Sequence, residues 1–383
     1  MRINSKSILA GMALGALLLT GCNDAEYDTL SNQAYILQTN TNANSSLKLT
    51  VGAEVATTTV NVRLSDVANV ESRYRLVYDT AVVNEYNRLN ETPYASLPQE
   101  SFSLSSEETT IEAGASVSTP ITLTVPPYSE ALKASGKKYA IGFRLENTSG
   151  NASVLPSGSK IVYILDQVVI QPVVVLDQSH YVSQNLVKNY PLTEWTVEMN
   201  INKHILYTEV GRGNNQAIFG AGPDEIYIRF GDAPIEGNRL QIKTQGTQMN
   251  SLVLFNEHTW YHLAFVCTGT KLYLYVNGQL DNSMDLPGKT TNVNSINICS
   301  PSTYWLGNAM YSEVRFWQRA RSQAEIANNM YACDPTTPGL ITYYKMNEGE
   351  GYSFRDASGN GNNAETNGQA VPEWIQDVRI DGK

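Results

Sequence analysis

The stretch WYHLAFVCTGTKLYLYVNG, residues 260–278, decides the fold of the C-terminal half of the chain. Residues 258–267 and 271–277 have the composition of two strands, and Thr268-Gly269-Thr270 joins them as a hairpin. Within the second strand, leucine and valine alternate with tyrosine, so one face is aliphatic and the other aromatic. Asn277-Gly278 predicts another tight turn after it. The pattern indicates antiparallel β structure.

The same alternation recurs upstream, at residues 47–51, 60–64, 121–125 and 141–145. Two helices interrupt the β pattern. Asp79 to Leu89 predicts a short helix that Asp79 caps, and Ser322-Gln323-Ala324-Glu325 is a capping box at the start of a second one. We therefore predict an all-β protein with a β-sandwich over 35–166, a stiff linker over 167–176 around Pro172, and a second β domain over 177–383.

Charge excludes two classes of partner. The 383 residues hold 27 Lys+Arg against 37 Asp+Glu, a formal net charge of −10. A nucleic-acid-binding protein needs a basic face, and docking on an acidic membrane needs a polybasic patch. We expect neither kind of binding.

The N-terminus predicts an export signal. Arg2 and Lys6 precede an apolar run from Ile8 to Leu19, which is too short to span a bilayer. Leu19-Thr20-Gly21-Cys22 resembles the lipobox of bacterial lipoproteins, in which the chain is cut before the cysteine and its sulfur is lipidated. The resemblance implies a signal peptide over 1–21 and a lipidated tether over 22–34; the alternative is an ordinary signal peptide with an incidental cysteine.

The acidic residues Asp24, Glu26 and Asp28 resemble the export signal of Bacteroidetes surface lipoproteins. This implies an outer-membrane protein, lipid-anchored and facing the cell exterior. An anchor facing the periplasm is the alternative.

The N-terminal domain resembles a domain of unknown function in Bacteroidetes surface lipoproteins, the type that precedes some endo-β-N-acetylglucosaminidases. The matching residues are YDTAVVNEYN (78–87), YASLP (94–98), IEAG (111–114) and YAIGFRL (139–145). The resemblance implies a spacer or platform beside a glycan-active module.

The C-terminal half resembles the laminin-G-like, concanavalin-A-like jelly rolls. The matching residues are LDQSHYV (176–182), WTVE (195–198), WYHLA (260–264), YVNG (275–278), and EGEG with DASGNG (348–351 and 356–361). The resemblance implies a lectin-like jelly roll over 177–383, with Trp195, Trp260 and Trp317 in its core.

The closing turn, FRDASGNGNN, is a candidate calcium site. Calcium takes six to eight oxygen ligands. Asp356 and Asn360 can supply some of them, and in similar domains a structural calcium lies near this turn and the opening aspartate, here Asp177. The alternative is a tight turn in which Asp356 accepts backbone N–H groups.

Two loops are candidates for sugar binding, which needs aromatic faces and polar amides. Tyr304 and Trp305 precede Gly307, and Arg212, Asn214 and Asn215 form a polar loop between strands. For Trp305, a core position is the alternative.

The sequence does not indicate an enzyme. The Glu-x-Asp-x-x-Glu strand of laminarinase-like enzymes is absent. The mature chain has three cysteines, Cys267, Cys299 and Cys333, so at least one is free, and their spacing does not indicate which two would pair.

We predict a non-catalytic, cell-surface carbohydrate-binding lipoprotein that captures glycans, with a glycan ligand and a neighbouring outer-membrane glycan importer as partners. A surface adhesin or protein–protein interaction module is the alternative, and a divergent glycoside hydrolase is the second.

Overall fold

A computed structural model describes residues 31–41, 45–90, 92–300 and 307–381. Cys22, Tyr304, Trp305, the predicted signal peptide and most of the predicted tether lie outside the described residues. In the described part of the chain, no helix is long and apolar enough to cross a membrane.

The N-terminal domain consists of short strands, as the alternating pattern predicts. The strands are β1 (Gln33–Ile36), β2 (Ser46–Val51), β3 (Ala56–Val60), β4 (Val62–Leu64), β5 (Ser72–Tyr78), β6 (Ala95–Ser96), β7 (Ser103–Leu104), β8 (Glu108–Ile111), β9 (Ile121–Val125), β10 (Tyr139–Ser149), β11 (Ser153–Val154) and β12 (Lys160–Gln167). They form three sheets: β2-β12-β10-β5-β8 with β6 beside β10, β11-β1-β4, and β3-β9-β7. Their inward faces share one core that includes Tyr74, Phe143 and Tyr163.

Two short helices flank these sheets, α1 (Thr80–Asn90) and α2 (Glu130–Ala134). The predicted cap of α1 is present, because Asp79 Oδ1 accepts a hydrogen bond from the Ala81 N–H at 2.9 Å. Val82 and Val83 are buried. The helix comes so close to β10 that a Cβ on Gly142 would lie 2.8 Å from the Asp79 carbonyl oxygen. Only glycine fits there without a shift of the backbone.

The join between the domains differs from the predicted linker. Residues 170–176 form β13 (Ile170–Leu176), a strand of the second domain that pairs with strands on both sides. Pro172 lies where the pairing register shifts, between Gln171 and Val173. A bulge tolerates a residue that has no N–H to donate, so proline can lie inside this sheet.

The second domain contains β13 and the strands that follow it. These are β14 (Val182–Leu192), β15 (Trp195–Lys203), β16 (Gln216–Pro223), β17 (Ile226–Phe230), β18 (Arg239–Thr244), β19 (Thr247–Leu254), β20 (Trp260–Cys267), β21 (Lys271–Val276), β22 (Gln279–Asp285), β23 (Thr291–Ile298), β24 (Ala309–Trp317), β25 (Leu340–Tyr344), β26 (Ser353–Phe354), β27 (Ala364–Glu365) and β28 (Glu373–Arg379). One helix, α3 (Gln323–Asn328), interrupts them.

Two antiparallel sheets pack face to face in this domain. The eight-stranded sheet has the order β22-β21-β20-β15-β24-β13-β28, with β25 beside β24, and the six-stranded sheet has the order β14-β23-β16-β17-β18-β19. Trp195, Phe219 and Phe265 lie fully buried between them. The all-β prediction is confirmed.

The quoted hairpin forms β20 and β21 as predicted, with Asn277 and Gly278 both at positive φ in the next turn. The capping box of Ser322 and Glu325 is also present. Trp195 and Trp317 are fully buried, whereas Trp260 is only half-buried at the start of its strand. The predicted core position of Trp260 is therefore only partly correct.

The helix α3 covers part of the outer face of the eight-stranded sheet. Ile326 of α3 packs against Ala264, Val266 and Tyr275 on that face.

Candidate functional site

Polar and aromatic side chains lie on the outer face of the six-stranded sheet. In β17, Ile226, Ile228 and Phe230 point into the core. Because side chains alternate along a strand, Tyr227 and Arg229 point outward. This face is the candidate functional site.

One line of paired residues crosses all six strands on this face, and we call it the platform row. Each member pairs with the next one in the neighbouring strand: Ser183, Asn297, Gly220, Tyr227, Lys243 and Gln248. Gly220 leaves the centre of the row without a side chain. A Cβ placed there would be in ordinary van der Waals contact with the Ile226 carbonyl oxygen at 3.8 Å and with the Asn297 side chain at 3.9 Å. The half-buried Tyr227 ring therefore has no side chain beside it at the paired position of β16.

A second group beside the row is the Arg229 network, formed by Asn215, Arg229, Asp232, Gln241 and Asn250. Arg229 Nη2 donates to Gln241 Oε1 at 2.6 Å and to the Asp232 carboxylate, and Nη1 donates to Asn215 Oδ1 at 3.1 Å. Gln241 Nε2 in turn donates to Asn250 Oδ1 at 2.9 Å. Arg229 is only 6% exposed, so these bonds hold its guanidinium in a fixed position.

Tyr227 joins the row to the network. Its hydroxyl donates to Asn215 Oδ1 at 2.8 Å, and the Arg229 guanidinium lies 5.3 Å from its ring centroid. Burial raises the pKa of the Tyr227 hydroxyl above its ordinary value, so the group stays neutral. The hydrogen bond at the hydroxyl and the nearby guanidinium fix the position of the ring. A fixed ring loses less conformational entropy when a ligand stacks on it.

The predicted loop 212–215 lies at the edge of this face. Its three candidate residues, Arg212, Asn214 and Asn215, have different surroundings. Asn215 belongs to the Arg229 network and adopts a left-handed conformation, φ 57°. Arg212 is exposed, pairs with Glu209 at 3.0 Å and stacks 4.0 Å from the Tyr207 ring centroid. Asn214 Oδ1 is buried and has no hydrogen-bond partner among the described residues. Tyr227, Arg229 and Gln241 were not predicted as site residues, although the alternation in IYIRF (226–230) indicates that Tyr227 and Arg229 face outward.

Of the three calcium candidates, Asp356 and Asn360 lie in the same turn, and Asp177 lies in another loop. Asp356 Oδ1 accepts hydrogen bonds from the N–H groups of Tyr343 and Ser358, each at 3.0 Å, and Oδ2 accepts one from the Asn362 N–H. Asn360 Nδ2 donates to the carbonyl oxygens of Leu340 and Ile341. The tight-turn alternative predicts these hydrogen bonds, because in it backbone N–H groups of the protein donate to the Asp356 carboxylate.

Asp177 closes a different loop, where its Oδ1 accepts hydrogen bonds from the N–H groups of Ser179 and His180. It shares no hydrogen-bond partner with Asp356 in the part of the chain that the structure describes. Within those same ranges, no three His, Cys, Asp or Glu side chains are grouped so that they can hold a metal ion. Asp177 and Asp356 each bond to groups of their own loop, and the calcium site stays a prediction.

The most buried carboxylate, Glu198, lies in an ion network under α3. Arg315 Nη1 donates to it at 3.2 Å and Arg321 Nη1 at 2.7 Å, and all three side chains are almost fully buried. Burial alone raises the pKa of Glu198, but Arg321, His262 and Arg315 outweigh burial and hold that pKa well below its usual range. An ionised carboxylate clamped by two arginines and closed to solvent is not placed to act as a catalytic acid.

The three cysteines, Cys267, Cys299 and Cys333, are free and buried. Burial raises the pKa of each thiol, so all three stay protonated. No disulfide links the cysteines that the structure describes.

Two family profiles match the chain, one for each domain. An N-terminal-domain profile matches residues 30–152, and the profile of the concanavalin A-like lectin/glucanases superfamily matches residues 177–327. The resemblance inferred from the sequence is confirmed for both domains. No curated protein gives a significant match.

One solved structure shares the fold over most of the chain, and another is similar over a part of it. A protein from Bacteroides ovatus, described as a "putative carbohydrate binding protein", is 22% identical and aligns over 91% of this chain and 100% of its own, with a TM-score of 0.61. EndoBT-3987 from Bacteroides thetaiotamicron is 20% identical, over 35% of this chain and 30% of its own, with a TM-score of 0.30. The first likeness shows that the two-domain fold is shared along nearly the whole chain.

Proposed function

We propose that the protein binds carbohydrate, without cleaving it, on the polar face of the six-stranded sheet of its concanavalin A-like lectin/glucanase domain. Sugar rings present C–H faces that stack on aromatic rings and hydroxyls that bond to amides and carboxylates. The half-buried Tyr227 ring offers the first surface, and the half-buried members of the Arg229 network, Asn215, Asp232 and Asn250, offer the second. This juxtaposition is the observation that carries the proposal.

The platform row favours an extended glycan. It crosses six strands, so five steps of about 4.8 Å give a row of roughly 24 Å. A single terminal sugar covers only part of that length. We therefore expect affinity to rise with the number of sugar units until the row is filled.

The charge of the site favours a neutral glycan. Asp232 pairs with Arg229, so the network presents no net charge. Lys243 is the one cationic member of the platform row, in a chain that carries an excess of acid. An acidic polysaccharide would be repelled by the rest of the protein.

A cell-surface role is the finer part of the proposal. The lipobox at Cys22 and the acidic residues after it support an outer-membrane lipoprotein that captures glycans, beside an importer that takes them up. The Bacteroides ovatus protein of the same fold is described as carbohydrate-binding, and this agrees with such a role. Cys22→Ala tests the anchor: the variant should leave the membrane fraction, and unchanged fractionation would contradict the anchor.

Binding is tested on a glycan array that compares the full chain carrying Cys22→Ala with the same chain also carrying Tyr227→Ala. We expect neutral oligosaccharides to bind the first protein and to be lost from the second, because the stacking ring is gone. Tyr273→Ala is the matched control, since this half-buried tyrosine lies in β21 of the other sheet. A blank array, or equal binding by the Tyr227 and Tyr273 variants, would contradict the proposal.

A further inference from the structure

A cleft of about 510 Å³ lies between the two domains, away from the platform row. Small-molecule sites typically measure about 300–1,000 Å³ and often lie at domain boundaries. The N-terminal domain forms one wall with Val51, Pro127 and Tyr128, and the jelly roll forms the other with Glu313, Tyr343 and Asn347. Gln171 and Pro172 of β13 lie between these walls. Both domains are thus needed to build the cleft.

Glu313 reaches the cleft because β24 bulges. The pairing of β15 with β24 shifts register at this point, and Glu313 adopts a left-handed conformation, φ 58°. This conformation is uncommon for a residue other than glycine and is often found at binding sites. Glu313 Oε2 accepts hydrogen bonds from Arg315 Nη2 at 2.6 Å and from the Tyr343 hydroxyl at 2.5 Å. The carboxylate is therefore fixed in place at the wall of the cleft.

Other polar groups converge on the same space. Tyr128 is 6% exposed, and its hydroxyl has no hydrogen-bond partner among the described residues. Gln171 Nε2 donates to Ser312 Oγ at 2.6 Å, and Asn347 Nδ2 donates to Gln171 Oε1 at 3.4 Å. A buried hydroxyl without a partner is costly, and a ligand in the cleft can supply that partner.

The charges in the walls cancel. Four charged residues line the cleft, Glu130, Lys133, Glu313 and Lys345. Lys133 pairs with Glu130 at 2.8 Å, and the formal charges of Glu313 and Lys345 are opposite. The cleft offers no excess charge to an anion or a cation, while Val51, Pro127 and Pro172 supply apolar surface. Mixed apolar surface and neutral hydrogen-bonding groups suit a hydroxylated ring.

We propose that this cleft is a second binding site, which takes a neutral polyhydroxylated molecule of one or two sugar rings. The Tyr128 hydroxyl, the Gln171 amide and the Glu313 carboxylate are its hydrogen-bonding groups. The N-terminal domain then takes part in binding and is more than a spacer. This site is separate from the platform row and goes beyond the function proposed above.

Calorimetric titration of the full chain carrying Cys22→Ala tests this site. The probes are glucose, galactose, N-acetylglucosamine, lactose and cellobiose. We expect at least one of them to bind, and Tyr128→Phe to weaken that binding about fivefold, the effect of one lost hydrogen bond. Tyr163→Phe is the matched control, because Tyr163 also has a buried hydroxyl without a partner but does not line the cleft.

Ala332→Phe, which fills the cleft from its jelly-roll wall, should abolish the same binding. Tyr227→Ala should leave it unchanged, which separates this site from the platform row. If no probe binds, if Tyr128→Phe and Ala332→Phe bind as the unsubstituted protein does, or if Tyr227→Ala removes the signal, the cleft is not this site. Those results leave the array comparison of Tyr227 and Tyr273 variants unaffected.

Discussion

At the scale of single residues, the two halves of the jelly roll use buried charge differently. Arg229 lies on the outer face of the six-stranded sheet and donates to the side chains of Asn215, Asp232 and Gln241, whereas Arg315 and Arg321 are buried beneath α3 with Glu198. The first arrangement leaves Tyr227, Asn215 and Asn250 half-buried around a buried guanidinium. The second fixes the helix and the segment after it, because the carbonyl oxygens of Asn329 and Met330 also accept bonds from Arg315.

Arg229→Met should destabilise the protein and weaken glycan binding. The substitution leaves the Asp232 carboxylate and the Gln241 and Asn215 amides without their donor, and lost bonds to charged groups cost about 1–3 kcal/mol. Urea unfolding measures the change. Arg212→Met is the control, because Arg212 makes an exposed ion pair that contributes at most about 1 kcal/mol. Equal effects of the two substitutions would contradict the role given to Arg229.

Stability should fall as the pH is lowered from 7 to 5. Burial lowers the pKa of His262 below its ordinary 6.5, and this effect outweighs the influence of Glu198. The unfolded state therefore takes up a proton near pH 6.5 that the folded state refuses, so stability present above that pH is lost below it. The loss from one histidine across this range is at most about 2 kcal/mol, the limit reached when the folded state takes up no proton.

His204, whose pKa burial also lowers, contributes in the same direction. Glu198 has a lowered pKa, so its own contribution is lost only at more acidic pH, below 4.5. The free energy of unfolding of the His262→Gln variant should depend less steeply on pH between 7 and 5 than that of the unsubstituted protein. If the free energy of unfolding of His262→Gln depends on pH as steeply as that of the unsubstituted protein, His262 is not the source of the pH dependence.

At the scale of elements, turn residues and hydrophobic alternation predicted the strands and helices correctly where the pattern involves residues close together in the sequence. The hairpin of β20 and β21 and the capping box of α3 depend on neighbouring residues, and both are present. Two features depend on distant pairing and were not predicted. Residues 60–64 look like one strand, yet β3 and β4 belong to different sheets, and β13 continues the jelly roll through the predicted linker.

Gly278→Ala tests how the hairpin turn supports α3. Gly278 has φ 75°, and a Cβ there would lie 2.9 Å from the Ala327 Cβ. The change should cost about 1–3 kcal/mol, since it adds strain at positive φ and pushes against the helix. Gly246→Ala is the control, because Gly246 has φ 80° but nothing within 4 Å of a Cβ. Thermal unfolding should show the larger loss for Gly278; equal losses would mean that helix contact is unimportant.

At the scale of the whole molecule, the fold was predictable and the site was only partly so. The domain order and the jelly roll follow from periodicity and motif resemblance. Asn215 was predicted as a ligand candidate, but its partners Tyr227 and Arg229 come from β17, and Gln241, which bonds to Arg229, comes from β18. The register that aligns them is a property of the assembled sheet, and alternation within one strand cannot give it.

Calorimetric titration of a Gly220→Val variant is the most direct test of the claim that the six-stranded sheet is the glycan-binding face. The probe is a neutral oligosaccharide that the array identifies. A Cβ at this position would make only ordinary van der Waals contacts, 3.8 Å or more from the nearest atoms, so the variant should fold, and its side chain would lie beside Tyr227. We predict at least a tenfold loss of affinity in a variant whose thermal unfolding transition shows it to be folded. Undiminished affinity in a folded Gly220→Val variant would contradict this claim.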